Sequence, residues 1–285
     1  MRTLICLFLF TATLTAHRGL PSYTSGLVDY QVWVIAGQSL VAGSTGVTYT
    51  VTGNVDKSVI HQSFPDWTIA NPWSDSATAD DIFTADGSSW GPEVGFARWL
   101  VQNGEKNVVV IKVAQGSHSI ENFLDSPRQL NAAAGGTDMY ERLHVTVDAG
   151  LAKLRQRGNT ATLRGFVWFQ GRANQNDATR ATNYGTHLER LITDVRSELD
   201  GGSVPNLPWI TVVSPTWANA SGDGSRLATV QGYQRSVTAA TNSAVSVESD
   251  SPLGTAIVFS DGTHPDSAST ERIGRVAAQS FIDNF

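Results

Sequence analysis

The chain has 285 residues, 41% of them hydrophobic and 16% charged. That length allows one or two domains of about 100–200 residues with a sizeable core, and the composition is too apolar and too weakly charged for an intrinsically disordered protein. Its 20 Lys and Arg against 26 Asp and Glu give a formal net charge of -6. The basic residues are scattered and form no patch of the kind that neutralises phosphates, which argues against a nucleic-acid partner. The single cysteine, Cys6, excludes an intramolecular disulfide, a Cys-rich zinc site and a CxxC redox pair.

The first segment, residues 1–16, reads MRTLICLFLFTATLTA: Arg2 at the start, an apolar stretch from Leu4 to Phe10 and a small-residue end at Ala16. This is the pattern of a secretory signal peptide, and its apolar stretch is shorter than the roughly 20 residues that span a bilayer. Cleavage after Ala16, or after Ala12, leaves a chain without cysteine. The expectation is therefore a secreted or periplasmic protein with no transmembrane span in its mature form. One sequon, Asn219-Ala220-Ser221, matters only in a eukaryotic secretory pathway. Residues 17–285 show no internal repeat and no convincing linker, so one domain is the economical reading.

From residue 29 onward, Val- and Ile-rich runs alternate with segments of helical period, the signature of parallel strands joined by crossover helices. Strands are predicted at 30–36, 107–113, 163–169, 209–213 and 244–247. Their near-continuous apolar character, as in VVVIKVA, suits a sheet covered on both faces. The helix predicted after Pro92 carries Phe96 and Leu100 four apart and stops at Asn103-Gly104. A second apolar stripe runs Tyr140, Leu143, Val147, Leu151, Leu154, and a third runs Tyr184, Leu188, Leu191, Val195, Leu199. Residues 226–241 and 267–285 are the fourth and fifth helices. The stripes read as core faces. Two polar stretches, 44–90 and 117–138, read as irregular loops of a length that is usually functional. They carry Trp67, Trp73, Trp90 and Phe123, rings that either stack on a sugar or anchor their loops.

The chemistry-bearing residues fall at strand ends. Ser39, in Gly37-Gln38-Ser39-Leu40, follows the first strand, where open α/β sheets place ligands, and Gly37 allows a sharp turn there. Alone, such a Ser is equally a turn or cap residue. The elbow GxSxG is not matched, because Gly43 comes four residues after Ser39. Near the other end, Asp261-Gly262-Thr263-His264 can supply from one turn the carboxylate and imidazole that activate a serine. No HExxH, paired-His motif or acidic cluster supports reading DxxH as a metal site, and no cofactor motif is present. Gly116, in Gln115-Gly116-Ser117-His118-Ser119-Ile120, follows the second strand and can direct a backbone N–H into the same crevice. Gln170-Gly171-Arg172-Ala173-Asn174 follows the third strand and brings side-chain amides to that edge. Donors so placed stabilise the oxyanion of acyl transfer, at roughly 3–4 kcal/mol for one such donor.

Five ordered blocks, VWVIAGQSL, WGPEVGFARWL, QGSHSI, WFQGRAN and DGTHPD, resemble the SGNH (GDSL-type) hydrolase superfamily, specifically its sialate O-acetylesterase-like branch, which includes carbohydrate esterase family six. The resemblance runs from about residue 30 to the C-terminus. It implies a three-layer α/β/α sandwich around a central, mainly parallel five-stranded sheet of flavodoxin-like type, a Ser-His-Asp triad and no metal. Carried over by position, Ser39 resembles the nucleophile, His264 the general base and acid, and Asp261 the orienting carboxylate. The oxyanion hole then uses the N–H groups of Ser39 and Gly116 with a side-chain amide, Gln170 or its competitor Asn174. His118 and Arg172 are candidate substrate contacts, and Glu93 reads as support for a helix start. His61, His144 and His187 read as structural or exposed.

Leu40 departs from the branch's usual Asn, Ser117 from the second Gly of its GGTS loop, and Arg172 from the Glu of QGE; that last change turns an acceptor into a permanent cation. The reading is a secreted serine esterase acting on an acetylated carbohydrate. A short-chain lipase or aryl esterase of the same fold, and a non-catalytic carbohydrate-binding protein, are its alternatives.

Overall fold

The computed structural model describes residues 27–43, 60–62, 91–124, 139–216, 224–249 and 256–285. The signal-like segment, the sequon, Trp67, Trp73 and Trp90 lie outside them, as does the side chain of His61.

All five predicted strands form: β1 Asp29–Gly37, β3 Val108–Ala114, β4 Thr160–Phe169, β5 Trp209–Val213 and β6 Ala244–Glu248. A sixth, β2 Ile60–Gln62, lies inside the first polar stretch. Every pairing is parallel, and the spatial order is β2-β3-β1-β4-β5-β6. The central strands carry almost unbroken apolar sequence because both faces are covered. Alternation then sorts their side chains. Val32, Val34, Ala36, Ile111, Val113, Phe166 and Trp168 join one core cluster, while Trp33, Ile35, Val110, Val167 and Phe169 join the other.

The predicted helices also form. They are α2 Glu93–Gln102, α3 Met139–Leu154, α5 Ala178–Glu198, α6 Gly224–Ala240 and α7 Ser267–Asn284. Leu143, Val147 and Leu151 of α3 and Leu188, Leu191 and Val195 of α5 cover the first face, and Phe96 and Leu100 of α2 with Ile273 and Phe281 of α7 cover the second. Three layers result. Each large apolar side chain taken fully out of water contributes about 1.5–3 kcal/mol. Trp33, wholly buried, meets Phe96 and Phe281 edge-on at 6.3 and 5.7 Å.

Two features of this scaffold position the site. The chain moves from β1 outward to β2 and β3, then crosses back to β4 on the other side of β1. The crevice at the carboxyl ends of β3, β1 and β4 is thus the switch point where such sheets bind ligands. In addition, α2 and α7 cross closely. A Cβ on Gly95 would lie 1.9 Å from Glu271 O and one on Gly274 1.8 Å from Pro92 O, so only glycines permit the approach. This crossing sets Glu271 and Gly274, in the first half of α7, against the start of α2.

Candidate active site

Ser39 opens α1, Ser39–Ala42, a single turn that begins two residues after the end of β1. Gln38 before it is extended, and Val41 and Ala42 N–H bond to Gln38 O at 2.8 and 2.9 Å. Gly37 serves by close approach, since a Cβ there would lie 2.1 Å from Phe169 O; its φ is not in the left-handed region. Leu40, where the related branch carries Asn, is buried in the second core cluster, so an apolar residue there tightens the seat of the turn. Ser39 is half-buried. Across from it, a Cβ on Gly116 would meet only Ser39 Cβ among the described residues, at 3.9 Å. The missing side chain therefore leaves open the space beside Ser39. Neither the Ser39 N–H nor the Gly116 N–H has an acceptor among the described residues.

The Asp261–His264 turn is built by its own sequence. Asp261 Oδ1 accepts from Thr263 N at 2.8 Å and His264 N at 2.6 Å, and Oδ2 lies 2.7 Å from His264 Nδ1. Gly262 takes φ 77, which glycine adopts at no steric cost. A bridge between Phe259 and Pro265 closes the loop, and Asp266 caps α7 by accepting from Ser269 N. The bond from His264, with lesser help from the two backbone N–H groups, holds the Asp261 carboxyl down at about 2. An ionised carboxylate only accepts, so the imidazole proton resides on Nδ1 and Nε2 presents its lone pair. Among the described residues no hydrogen bond joins Ser39 to His264; catalytic hydrogen bonds of this kind are often long without substrate and tighten when it binds.

The third block forms a buried polar wall behind the crevice. Gln38 Oε1 accepts from Gln170 Nε2 and Ala173 N, both at 3.1 Å, and from Gly171 N at 3.5 Å. Gln170 Nε2 also faces Asn174 Oδ1 at 2.8 Å and His118 O at 3.2 Å. Asn174, in the short helix α4 Arg172–Gln175, turns its Nδ2 to both oxygens of Glu121 at 3.1 Å. Gln170 and Asn174 have no exposed surface, and their amide hydrogens are directed at these internal acceptors. In this geometry both amides are engaged within the wall, whereas the N–H groups of Ser39 and Gly116 have no acceptor among the described residues.

Burial alone raises the Glu121 carboxyl, but hydrogen bonds from His187, Ser119, its own backbone and Asn174 outweigh this and hold it below its ordinary value. His187 Nδ1 stands 3.2 Å from Glu121 Oε1, and His144 packs on Tyr140 with ring centroids 4.4 Å apart. Both histidines are thus engaged with neighbours inside the fold.

Of the substrate-contact candidates, His118 is half-buried beside the crevice, its Nδ1 donating to Gly116 O at 2.9 Å. Arg172 begins α4 half-buried, and partial desolvation lowers its guanidinium. Phe123 is no sugar platform. It has no exposed surface and meets Trp168 edge-on at 4.9 Å, inside the 3₁₀ turn Ile120–Phe123 capped by Ser119. Glu93 accepts from Gly91 N at 2.8 Å at the start of α2, in keeping with helix support. Sequence reasoning passed over Gln38 and Glu121. Gln38 lies inside the GQS block, but an amide beside a strand end carries no sequence mark of a buried acceptor.

The parallel three-layer α/β/α architecture, with Ser39 and Gly116 at neighbouring strand ends and an Asp-His turn after the last strand, is the fold expected from the SGNH resemblance. A family model described as carbohydrate esterase, sialic acid-specific acetylesterase, matches residues 29–283, and the chain belongs to that family. It is thus a hydrolase acting on esters, of a carbohydrate-esterase class. A probable carbohydrate esterase of Arabidopsis thaliana is 25% identical over 225 residues, which are 74% of this chain and 77% of the relative. The solved Arabidopsis structure aligns with TM-score 0.64 at 21% identity, covering 90% of this chain and 98% of that one. A carbohydrate acetylesterase from Xanthomonas citri aligns at 0.59 and 16% identity over 89% of this chain and 56% of that one. The structure titled NanS aligns at 0.60 and 14% identity over 90% and 98%. At these identities the structural matches establish the fold.

Proposed function

We propose that this protein is a serine esterase that removes O-acetyl groups from a carbohydrate through an acetyl-enzyme. His264 Nε2 takes the proton of Ser39 Oγ as Oγ attacks the acetyl carbonyl, and the oxyanion accepts from the N–H groups of Ser39 and Gly116. Asp261 stays ionised, holds the ring tautomer and balances the imidazolium. The tetrahedral intermediate collapses, the C–O bond to the sugar breaks, and the sugar oxygen leaves with the proton from His264. Water then attacks the acetyl group on Ser39, giving its proton to His264, and acetate departs as Ser39 is reprotonated. Gln170 and Asn174 act as the wall that fixes the crevice, and His118 and Arg172 stand at its edge as substrate contacts.

The observation that carries this reading is the 2.7 Å contact of Asp261 Oδ2 with His264 Nδ1, on the loop that leads into α7, whose first turns pack on the start of α2. Acetate release from a panel of acetylated polysaccharides tests it. Wild type releases acetate and prefers acetyl over long acyl esters, whereas folded Ser39→Ala releases none. Turnover by that variant contradicts the nucleophile, and a preference for long chains contradicts the acetyl specificity.

We further propose that the protein is exported, a reading supported by the signal-like pattern of residues 1–16. Recovery from the medium or periplasm with a new N-terminus near residue 17 supports that placement, and retention in the cytoplasm with Met1 intact contradicts it. Among the described residues no helix is long and apolar enough to cross a membrane.

A further inference from the structure

Beneath the Ser39 turn lies a buried ion pair that the proposed chemistry does not use. Lys112 Nζ, on β3, contacts Glu93 Oε1 at 2.8 Å, and their side chains are 3% and 0% exposed. Taking two charges out of water costs several kcal/mol per ion, and an apolar pair of similar volume often serves the fold as well or better. A purely structural role therefore gives no reason for charge here. Geometry supplies one. Lys112 Nζ also donates to Ala42 O at 3.3 Å, the last carbonyl of α1. Glu93 in turn accepts from Gly91 N, and Gly91 abuts the neighbouring carbonyl, since a Cβ on it would lie 2.3 Å from Val41 O. The last two carbonyls of a four-residue turn that begins with Ser39 are thus set from below by one ammonium and from the side by one glycine, and Glu93 fixes both.

We propose that Lys112 and Glu93 are positioning residues for the nucleophile: the ion pair anchors the trailing end of α1 and so aims Ser39 at the oxyanion site. A short turn with so few internal hydrogen bonds cannot hold its own orientation, and a displacement of about 1 Å at a reacting atom can cost about 100-fold in rate. The ammonium suits this task because it reaches a carbonyl and a carboxylate at once with separate N–H groups. The inference rests on Ser39 being the nucleophile.

The test is a cycle of Lys112→Met, Glu93→Leu and the double variant, read by thermal unfolding and by kcat and KM on an aryl acetate. Each single variant strands a buried charge and lowers Tm. The double variant removes both charges and regains most of that loss, yet its kcat remains down by roughly 10- to 100-fold with KM little changed. A double variant that folds and turns over like wild type overturns the proposal. If it does not fold, Gly91→Ala takes its place: its Cβ would lie 2.3 Å from Val41 O and 2.6 Å from Glu93 Oε2, so it displaces the turn's carbonyl and crowds the carboxylate while both charges remain. A similar loss of kcat in folded Gly91→Ala supports the proposal, and full activity there overturns it. Ser39→Ala is measured alongside. An active Ser39→Ala enzyme refutes the nucleophile assignment itself, whereas an inactive one beside a fully active double variant refutes only the anchoring role.

Discussion

Replacing Gln38 by Leu isolates the acceptor that joins the ends of β1 and β4. Leucine keeps most of the volume, so little cavity forms and the main loss is Gln38 Oε1. Three donors face that oxygen: Gln170 Nε2 and Ala173 N at 3.1 Å, and Gly171 N at 3.5 Å. Gln170 Nε2 keeps Asn174 Oδ1 and His118 O, which suffice for its two hydrogens, so it contributes little to the cost. Ala173 N is left facing an apolar side chain, a penalty of about 1–3 kcal/mol, and the long Gly171 contact adds a fraction of that. The sum is about 1–4 kcal/mol, which for a domain of this size lowers Tm by roughly 2–16 °C. Urea unfolding followed by Trp fluorescence gives the free energy, and a parallel aryl-acetate assay shows whether the crevice wall matters to turnover. A loss below about 0.5 kcal/mol would refute the view that Gln38 is the buried clasp between the two strands.

Two more outcomes are expected from local geometry and charge. Ser117 sits at φ 63, in the left-handed region where its side chain costs about 1–2 kcal/mol, and Ser117→Gly should raise stability by about 0.5–1 kcal/mol after the added chain entropy of glycine; an unchanged or lower Tm contradicts this. Asp261 titrates at about 2 in the folded protein against an ordinary 3.8. A depressed folded value means its contribution to stability is complete above the ordinary value and is lost as pH falls from there toward 2. NMR titration of the Asp261 carboxyl should show a midpoint well below 3.8 that returns toward the ordinary value in His264→Ala, and an unchanged midpoint in that variant contradicts the assigned cause.

Much of this scaffold was legible because its signals are strong and local. Runs such as VVVIKVA and WITVV admit only doubly covered strands, and the stripes of α3 and α5 repeat with the helical period over several turns. β2 escaped because three residues carry no periodicity, and its place in the sheet is set by pairing with β3. The turn Ile120–Phe123 escaped for a similar reason, although Ser119 before it was a visible cap. α5 starts at Ala178, six residues before the first stripe residue, Tyr184, and Asp177 accepting from Arg180 N was the overlooked signal.

Within the site, Ser39, Gly116 and the Asp261–His264 turn could be placed because each follows a strand or forms a self-contained turn. The destinations of Gln170 and Asn174 could not be read, since an amide at a strand end serves a crevice or a wall equally well. Glu121, one acid in a polar stretch, and the Lys112–Glu93 pair, 19 residues apart in sequence, become meaningful only when the fold brings them together.

Trapping the acyl-enzyme probes the central claim most directly. Wild type and Ser39→Ala, rapidly acid-quenched during turnover of an aryl acetate, are digested and analysed by peptide mass spectrometry. The account predicts an acetyl group on the peptide containing Ser39 in the wild type, and neither that adduct nor ester turnover in the folded variant. Acetylation confined to another residue, with turnover surviving the loss of the Ser39 hydroxyl, would contradict it.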